Sequence, residues 1–299
     1  MAHPDPAPAD DLNDDQLHAS VAQLFVYPVK SCAGVALQEA ELTETGLDLD
    51  RAWMVVDATG RFVTQRELPR MALVRPQIRT LEVVLRAPGM LALHLGLNEV
   101  EKPTRVQVWK YEVAAWDMGD VAAQWFSDFL GVPGLRLARF DPEVTRLASK
   151  HWTGEIDAPV EFADGFPLLL ASQASLDELN ARLAAAGHAP VGMERFRPNI
   201  VIDGVAAQDE DRLAELRITT GEGDTVVLRP VKPCPRCPIP NVDPATGVSS
   251  PEVLDQLSTY RAHPVLDGAI TFGMNCVIVQ GAGATLRAGD AVSADWRFD

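Results

Sequence analysis

The segment VKPCPRCPIPNVDPATG, residues 231–247, carries two of the four cysteines of the chain, Cys234 and Cys237, among five prolines. So much proline predicts a loop rather than a regular element. A Cys-x-x-Cys spacing suits half a zinc site, a redox dithiol, or one reactive thiolate beside a bystander. A structural zinc ion wants four Cys or His ligands, usually as two close pairs. Cys32 and Cys276 are isolated in sequence, and none of the six histidines forms a second pair. A thioredoxin-like dithiol wants its first cysteine at a helix N-terminus. Here Pro240 biases Ile239 away from the helical region. The third reading is a single thiolate ligand. Proline-fixed torsions would hold it, Lys232 and Arg236 would favour the thiolate, and soft sulfur suits a soft-bonding metal. An ordinary surface loop with two inert thiols also fits.

A second pattern is basic and recurs at strand ends. YPVKSCAG supplies Lys30 and Ser31, LDLDRAWMV supplies Arg51, FVTQRELPR supplies Arg66 and Arg70, and ERFRPNIVI supplies Arg195, Arg197 and Asn199. Arg and Lys beside Ser or Asn are what an anion such as a phosphate needs. Each alone also fits a solvated flank or a surface ion pair. There is no Walker P-loop. QGAGA lacks both the GxGxxG spacing and a following helix.

The elements that would position these residues are mostly strands. VAQLFVYPV is β-rich and ends at Lys30-Ser31. AWMVVDATGRFVT reads as a hairpin turning at 57–60, and LEVVLRAPGMLALHL as another turning at Pro88-Gly89. RVQVWKYEVAAW alternates along its length and reads as one half-buried strand. VAAQWFSDFLG predicts a helix ended by Gly131. Residues 141–160 are polar and irregular and read as a join. Beyond it come a buried strand in FPLLLAS and a helix in QASLDELNARLAAAG, with Ser175 as N-cap, Glu178 as capping-box partner and Gly187 as stop. A strand in RFRPNIVIDG and a hairpin turning at 221–223 precede the cysteine segment. After it come a short helix around 251–257 and the strands ITFGMNCVIVQ and ATLRAGDAVSADW.

With 299 residues and 47% hydrophobic content, the chain can build one large core or two ordinary ones. A formal charge of −16 opposes general binding to nucleic acid or to an anionic membrane surface, and permits a basic protein partner. No apolar run reaches the length of a membrane span. MAHPDPAPADDLNDDQ has neither the regions of a signal peptide nor the basicity of a transit peptide. Residues 1–17 are therefore expected to be a disordered acidic leader, followed by units at 18–145 and 146–299. Four scattered cysteines suggest a reducing cytoplasm.

YPVKSCAG, DRAW (50–53), VTQRELPR, LLLASQASLDELN, FRPNIVI and CPRCPIPNVDPATG together, in this order, resemble the MOSC-domain family with its N-terminal β-barrel part. The relevant members are the molybdenum-cofactor reductases related to the amidoxime reducing component. The resemblance spans roughly residues 22–293. It implies an α+β, predominantly β fold with a MOSC-type barrel and a few peripheral helices. It implies a molybdenum cofactor, a molybdenum with molybdopterin, whose one protein ligand is Cys237. Lys30, Ser31, Arg51, Arg197 and Asn199 match positions that bind the pterin and its phosphate. Arg236 lies in the ligand loop, and Asp243 matches an acidic turn residue near the metal that could donate a proton. Cys234 is not the ligand in relatives. The implied activity is reduction of small N-hydroxylated compounds: hydroxylaminopurines, amidoximes or hydroxamic acids. The C-x4-C-x2-C ferredoxin spacing of some bacterial relatives is missing from this sequence. Electrons are therefore expected from a separate protein of ferredoxin, flavin-reductase or cytochrome type. Two other classes stay open: a cofactor- or sulfur-carrier module without reductase activity, and an inert β-barrel interaction module.

Overall fold

The computed structural model describes residues 17–297, so the expected leader, Leu17 apart, lies outside the described residues. Seven strands form a closed barrel. In spatial order they are Leu168–Ser172, Ile200–Asp203, Leu17–Val26, Ala291–Trp296, Leu213–Thr219, Thr225–Pro235 and Ala269–Gln280. Pairing of Leu168 with Cys276 and Leu170 with Met274 closes the ring. The first and second strands in this order run parallel; the other neighbours are antiparallel. The barrel thus draws strands from both ends of the sequence.

Period-2 alternation explains why these segments close on themselves. Leu24 and Val26, Leu168 and Leu170, Ile200 and Ile202 lie two apart and bury into one core. The neighbouring Phe25, Tyr27, Ala171 and Val201 face the other way, into a second core shared with the helices Gln173–Ala185 and Glu252–Ser258. Both faces are dry there, which is why these strands read as near-continuous apolar runs. Each fully buried Leu or Ile contributes about 1.5–3 kcal/mol.

The remaining strands make a second layer. Trp53–Val56, Arg136–Phe140, Tyr111–Asp117 and Lys102–Val108 form a four-stranded antiparallel sheet, and Arg75–Ile78, Glu82–Arg86 and Leu93–Gly96 form a three-stranded one. Helix Gly119–Leu130 buries Trp125, Phe126 and Phe129 in their shared core. It stops where Gly131 turns left-handed at φ 70°.

Three local expectations are corrected. RVQVWKYEVAAW is a hairpin, not one strand: Lys102–Val108 and Tyr111–Asp117 meet with Val108 opposite Tyr111. The turn was hidden because Trp109, rather than Gly or Asn, takes the left-handed conformation, at φ 56°. The helix after FPLLLAS is capped by Ser172, whose hydroxyl accepts from the Ser175 amide at 3.1 Å. Ser175 lies inside the first turn. Finally, the proline-cysteine segment is partly strand. Thr225–Pro235 runs through Pro230, Pro233 and Cys234, because register shifts at 230–232 and 233–235 take up the missing donors.

Candidate functional site

Several loops at strand ends, three on the barrel and one on the four-stranded sheet, meet in one cleft. Lys30 and Ser31 follow the strand Leu17–Val26, Arg51 precedes Trp53–Val56, Arg197 and Asn199 precede Ile200–Asp203, and Arg236 and Cys237 follow Thr225–Pro235. All seven line the cleft, together with Thr64, Arg66, Asp164 and Cys234. Three of the seven, Ser31, Arg51 and Arg197, hold left-handed backbone at φ 65°, 55° and 58°. None is glycine, so each costs about 1–3 kcal/mol that surrounding contacts offset. Such strain collects where side chains must be aimed.

Hydrogen bonds lock the floor. Asp50 accepts from the Tyr27 amide at 2.9 Å through Oδ1 and pairs with Arg51 through Oδ2. Arg51 also donates to Asn199 Oδ1 at 3.2 Å and to the Arg197 carbonyl at 3.1 Å. Asn199 is 1% exposed and spends its amide on the protein: Oδ1 also accepts from the Leu169 amide at 3.1 Å, and Nδ2 donates to the Phe25 carbonyl at 3.3 Å. It therefore fixes Arg51 rather than facing the cleft with a free group. The guanidiniums of Arg51 and Arg197 lie 4.5 and 4.2 Å from the Tyr27 ring centre. Arg197 donates one arm to the Cys32 carbonyl, and its Nη2 is buried with no partner. Arg236 donates to the Phe196 carbonyl and approaches Cys234 Sγ at 3.0 Å, and its Nε is likewise buried and unpartnered.

The cleft is positive in an acidic molecule. Five cations line it, Lys30, Arg51, Arg66, Arg197 and Arg236, against one carboxylate, Asp164. Burial lowers the Arg197 pKa to about 10, and Arg51 beside it adds to the effect. Burial also lowers Lys30, although Asp164 partly restores its charge. Its ammonium donates to the Phe162 carbonyl at 2.7 Å and to Asp164 at 2.6 Å. Desolvation beside the cleft wall opposes ionisation of Asp164, but its side chain is 67% exposed and Lys30 outweighs that cost, so the carboxyl is held below the ordinary carboxylate range. Burial works against Arg51 too, yet Asp50 more than compensates and raises its pKa. An anion entering the cleft would meet unused donors and uncompensated charge together.

The four cysteines are free and divide into two classes. Cys32 and Cys276 are fully buried. Burial pushes the Cys32 thiol up to about 12 and the Cys276 thiol upward as well. Cys234 and Cys237 are half-exposed and line the cleft. No group of three or more His, Cys, Asp or Glu is placed to hold a metal among the described residues. A metal in this cleft would have to complete its ligand set from outside these side chains.

Asp243 stands apart from the cleft lining. Its Oδ1 accepts from the Ala245 amide at 2.7 Å, its Oδ2 lies 3.9 Å from Arg195, and its own amide donates to Val248. Its carboxylate holds a turn. Asp164, Thr64 and Tyr27 belong to the site although the sequence reading passed over them. EFADG carries no motif, so only the fold reveals that Asp164 faces Lys30, 134 residues away.

The MOSC N-terminal beta barrel domain matches residues 18–133, and the MOSC domain matches residues 157–293. The mitochondrial amidoxime reducing component 2 of Bos taurus is 37% identical over 251 residues, covering 81% of this chain and 72% of that protein. Component 1 of Homo sapiens is 38% identical over 255 residues with the same coverage. Component 1 of Mus musculus is 35% identical over 286 residues, covering 91% of this chain and 81% of that protein. No helix among the described residues is long and apolar enough to cross a membrane. With two domain matches in order and such relatives along most of its length, this chain belongs to the MOSC family, alongside the mitochondrial amidoxime reducing components.

Proposed function

We propose that this chain is a molybdenum-cofactor-dependent reductase of small N-hydroxylated compounds, supplied with electrons by a separate redox protein. The observation that carries the reading is one cleft in which the Cys237 thiol meets five cations and two buried, unpartnered guanidinium nitrogens. These residues fit the group. A thiol gives one soft ligand to the metal, and the unused donors of Arg197 and Arg236 suit the pterin and its phosphate. Lys30, Ser31 and Arg51 complete the positive wall, with Asn199 holding Arg51 in place. When bound, the cofactor supplies two-electron redox chemistry at the metal.

The overall change is N–OH plus two electrons and two protons giving N–H and water. In this reading the protein positions rather than attacks. Cys237 anchors the metal from the loop after the strand Thr225–Pro235. Arg236 holds that loop against the Phe196 carbonyl. Lys30 keeps its protons between the Phe162 carbonyl and Asp164 and presents positive charge to the cleft. Asp243, held in its turn, has no part in the step.

Metal and pterin analysis of the purified protein tests the reading. One molybdenum and one pterin per chain, retained through gel filtration, are expected. A cofactor lost on the column would favour a carrier, and absence of both after expression in a cofactor-competent host would overturn the reading.

A further inference from the structure

Trp109 occupies the turn of the hairpin Lys102–Val108/Tyr111–Asp117 with left-handed backbone, φ 56°. Gly or Asn would fill that position without strain. The tryptophan is also 44% exposed, so burial in its own hairpin does not account for it. What holds it comes from the cleft. Its indole N–H donates to Asp164 Oδ1 at 3.2 Å, the oxygen that also accepts from Lys30. The Arg66 guanidinium lies 4.9 Å from its ring centre, and Phe62 meets it edge-on at 5.0 Å. Lys30 in turn lies 5.4 Å from the Phe62 ring centre. A shallow groove lined by Phe62, Arg66, Trp109, Lys110 and Tyr111 opens here, and Arg66 also lines the cofactor cleft. Tyr111 is 52% exposed.

We propose that Trp109 is a specificity-determining residue: the indole is a ledge at the cleft mouth on which flat, conjugated substrates stack while their N-hydroxyl end enters the cleft. The indole, with the Arg66 guanidinium over its ring, and the exposed Tyr111 phenol line the same groove and together offer stacking surface to a planar heteroaromatic ring and little to a compact aliphatic molecule. Asp164 ties the ledge to Lys30, so the stacking face and the cleft wall hold a fixed relation. The proposal rests on the reductase reading for the reacting group, but the stacking step stands on its own.

Binding and turnover separate the two. Trp109→Asn suits the left-handed turn and should melt no lower than the parent. In the cofactor-loaded protein without an electron donor, binding of 6-hydroxylaminopurine, followed by calorimetry, should weaken about tenfold in this variant. Trp109→Tyr should recover most of that loss. With reduced viologen as donor, the KM for the same purine should rise by a similar factor, while that for acetohydroxamic acid changes less than about twofold. Purine binding unchanged in Trp109→Asn, or equal losses for both substrates, overturns the ledge. A parent that binds the purine and reduces neither compound overturns the reductase reading and leaves the ledge standing.

Discussion

Cys234 and Cys237 differ by three positions, yet the cleft treats them differently. Cys234 is still on the strand Thr225–Pro235 and sits 3.0 Å from the Arg236 guanidinium, whereas Cys237 has left the strand. Under the proposed function, Cys237→Ala should reduce turnover to background and remove most of the bound molybdenum, while Cys234→Ala should keep more than about half of both. Equal losses from the two changes, read by metal analysis and viologen-driven turnover, would point to a two-cysteine site. A second residue-scale expectation concerns stability. Burial, assisted by nearby Asp50, lifts the Glu161 carboxyl to about 7. In an unfolded chain a glutamate titrates near ~4.3. Between those values the folded state keeps a proton that the unfolded state releases, so stability falls as pH rises through this window. Glu161→Gln should therefore be more stable than the parent by roughly 1–3 kcal/mol at pH 8 and about equal at pH 4. Melting curves at both values check it, and a gain of the same size at pH 4 would show that packing, not titration, was responsible.

At the scale of elements, the cleft depends on closure of the barrel between Leu168–Ser172 and Ala269–Gln280. Gly273 sits at that seam with φ 74°, and an added Cβ would lie 2.5 Å from the Leu170 carbonyl oxygen. Gly268, at φ 76°, has nothing within 4 Å of the same atom. The pair separates backbone strain from collision. Gly268→Ala should cost about 1 kcal/mol, and Gly273→Ala roughly 2–4 kcal/mol with loss of cofactor. Urea denaturation of both decides it, and equal costs would mean that the seam yields without penalty. Strand existence was legible in the sequence because Leu24/Val26 and Ile200/Ile202 alternate with residues buried on the opposite face. Trp109-Lys110 was not legible as a turn because its conformation is held by Asp164 and Arg66, from elsewhere in the chain. The strand through Pro230 and Pro233 was hidden for a related reason: its bulges are set by the partner Ala269–Gln280. Of the site, the motif-borne cations and Cys237 were readable; Asp164 and the commitment of the Asn199 amide to the protein needed three dimensions.

For the whole molecule, two charge scales oppose each other. The chain has 42 acidic against 26 basic residues, yet its cleft gathers five cations around one carboxylate. At about 0.15 M salt the Debye length is about 8 Å, so a small substrate in the cleft responds mainly to the local cations. A donor approaching from farther away at low salt responds to the net negative field. The sequence holds four cysteines, two of them buried, with no ferredoxin spacing, no flavin fingerprint and no C-x-x-C-H. Under the proposed function, electrons therefore reach the cleft from a separate donor. The cofactor-loaded protein should reduce an N-hydroxylated substrate with reduced viologen, a cation, and should not do so with NADH or NADPH alone. At sub-saturating viologen the rate should fall as ionic strength rises from about 0.01 M to about 0.15 M, where screening contracts from about 30 Å to about 8 Å. A rate that rose with salt would mean that the cationic rim, not the net charge, governs donor approach. Sustained turnover of the pure chain on NADPH alone would falsify the requirement for a separate electron donor.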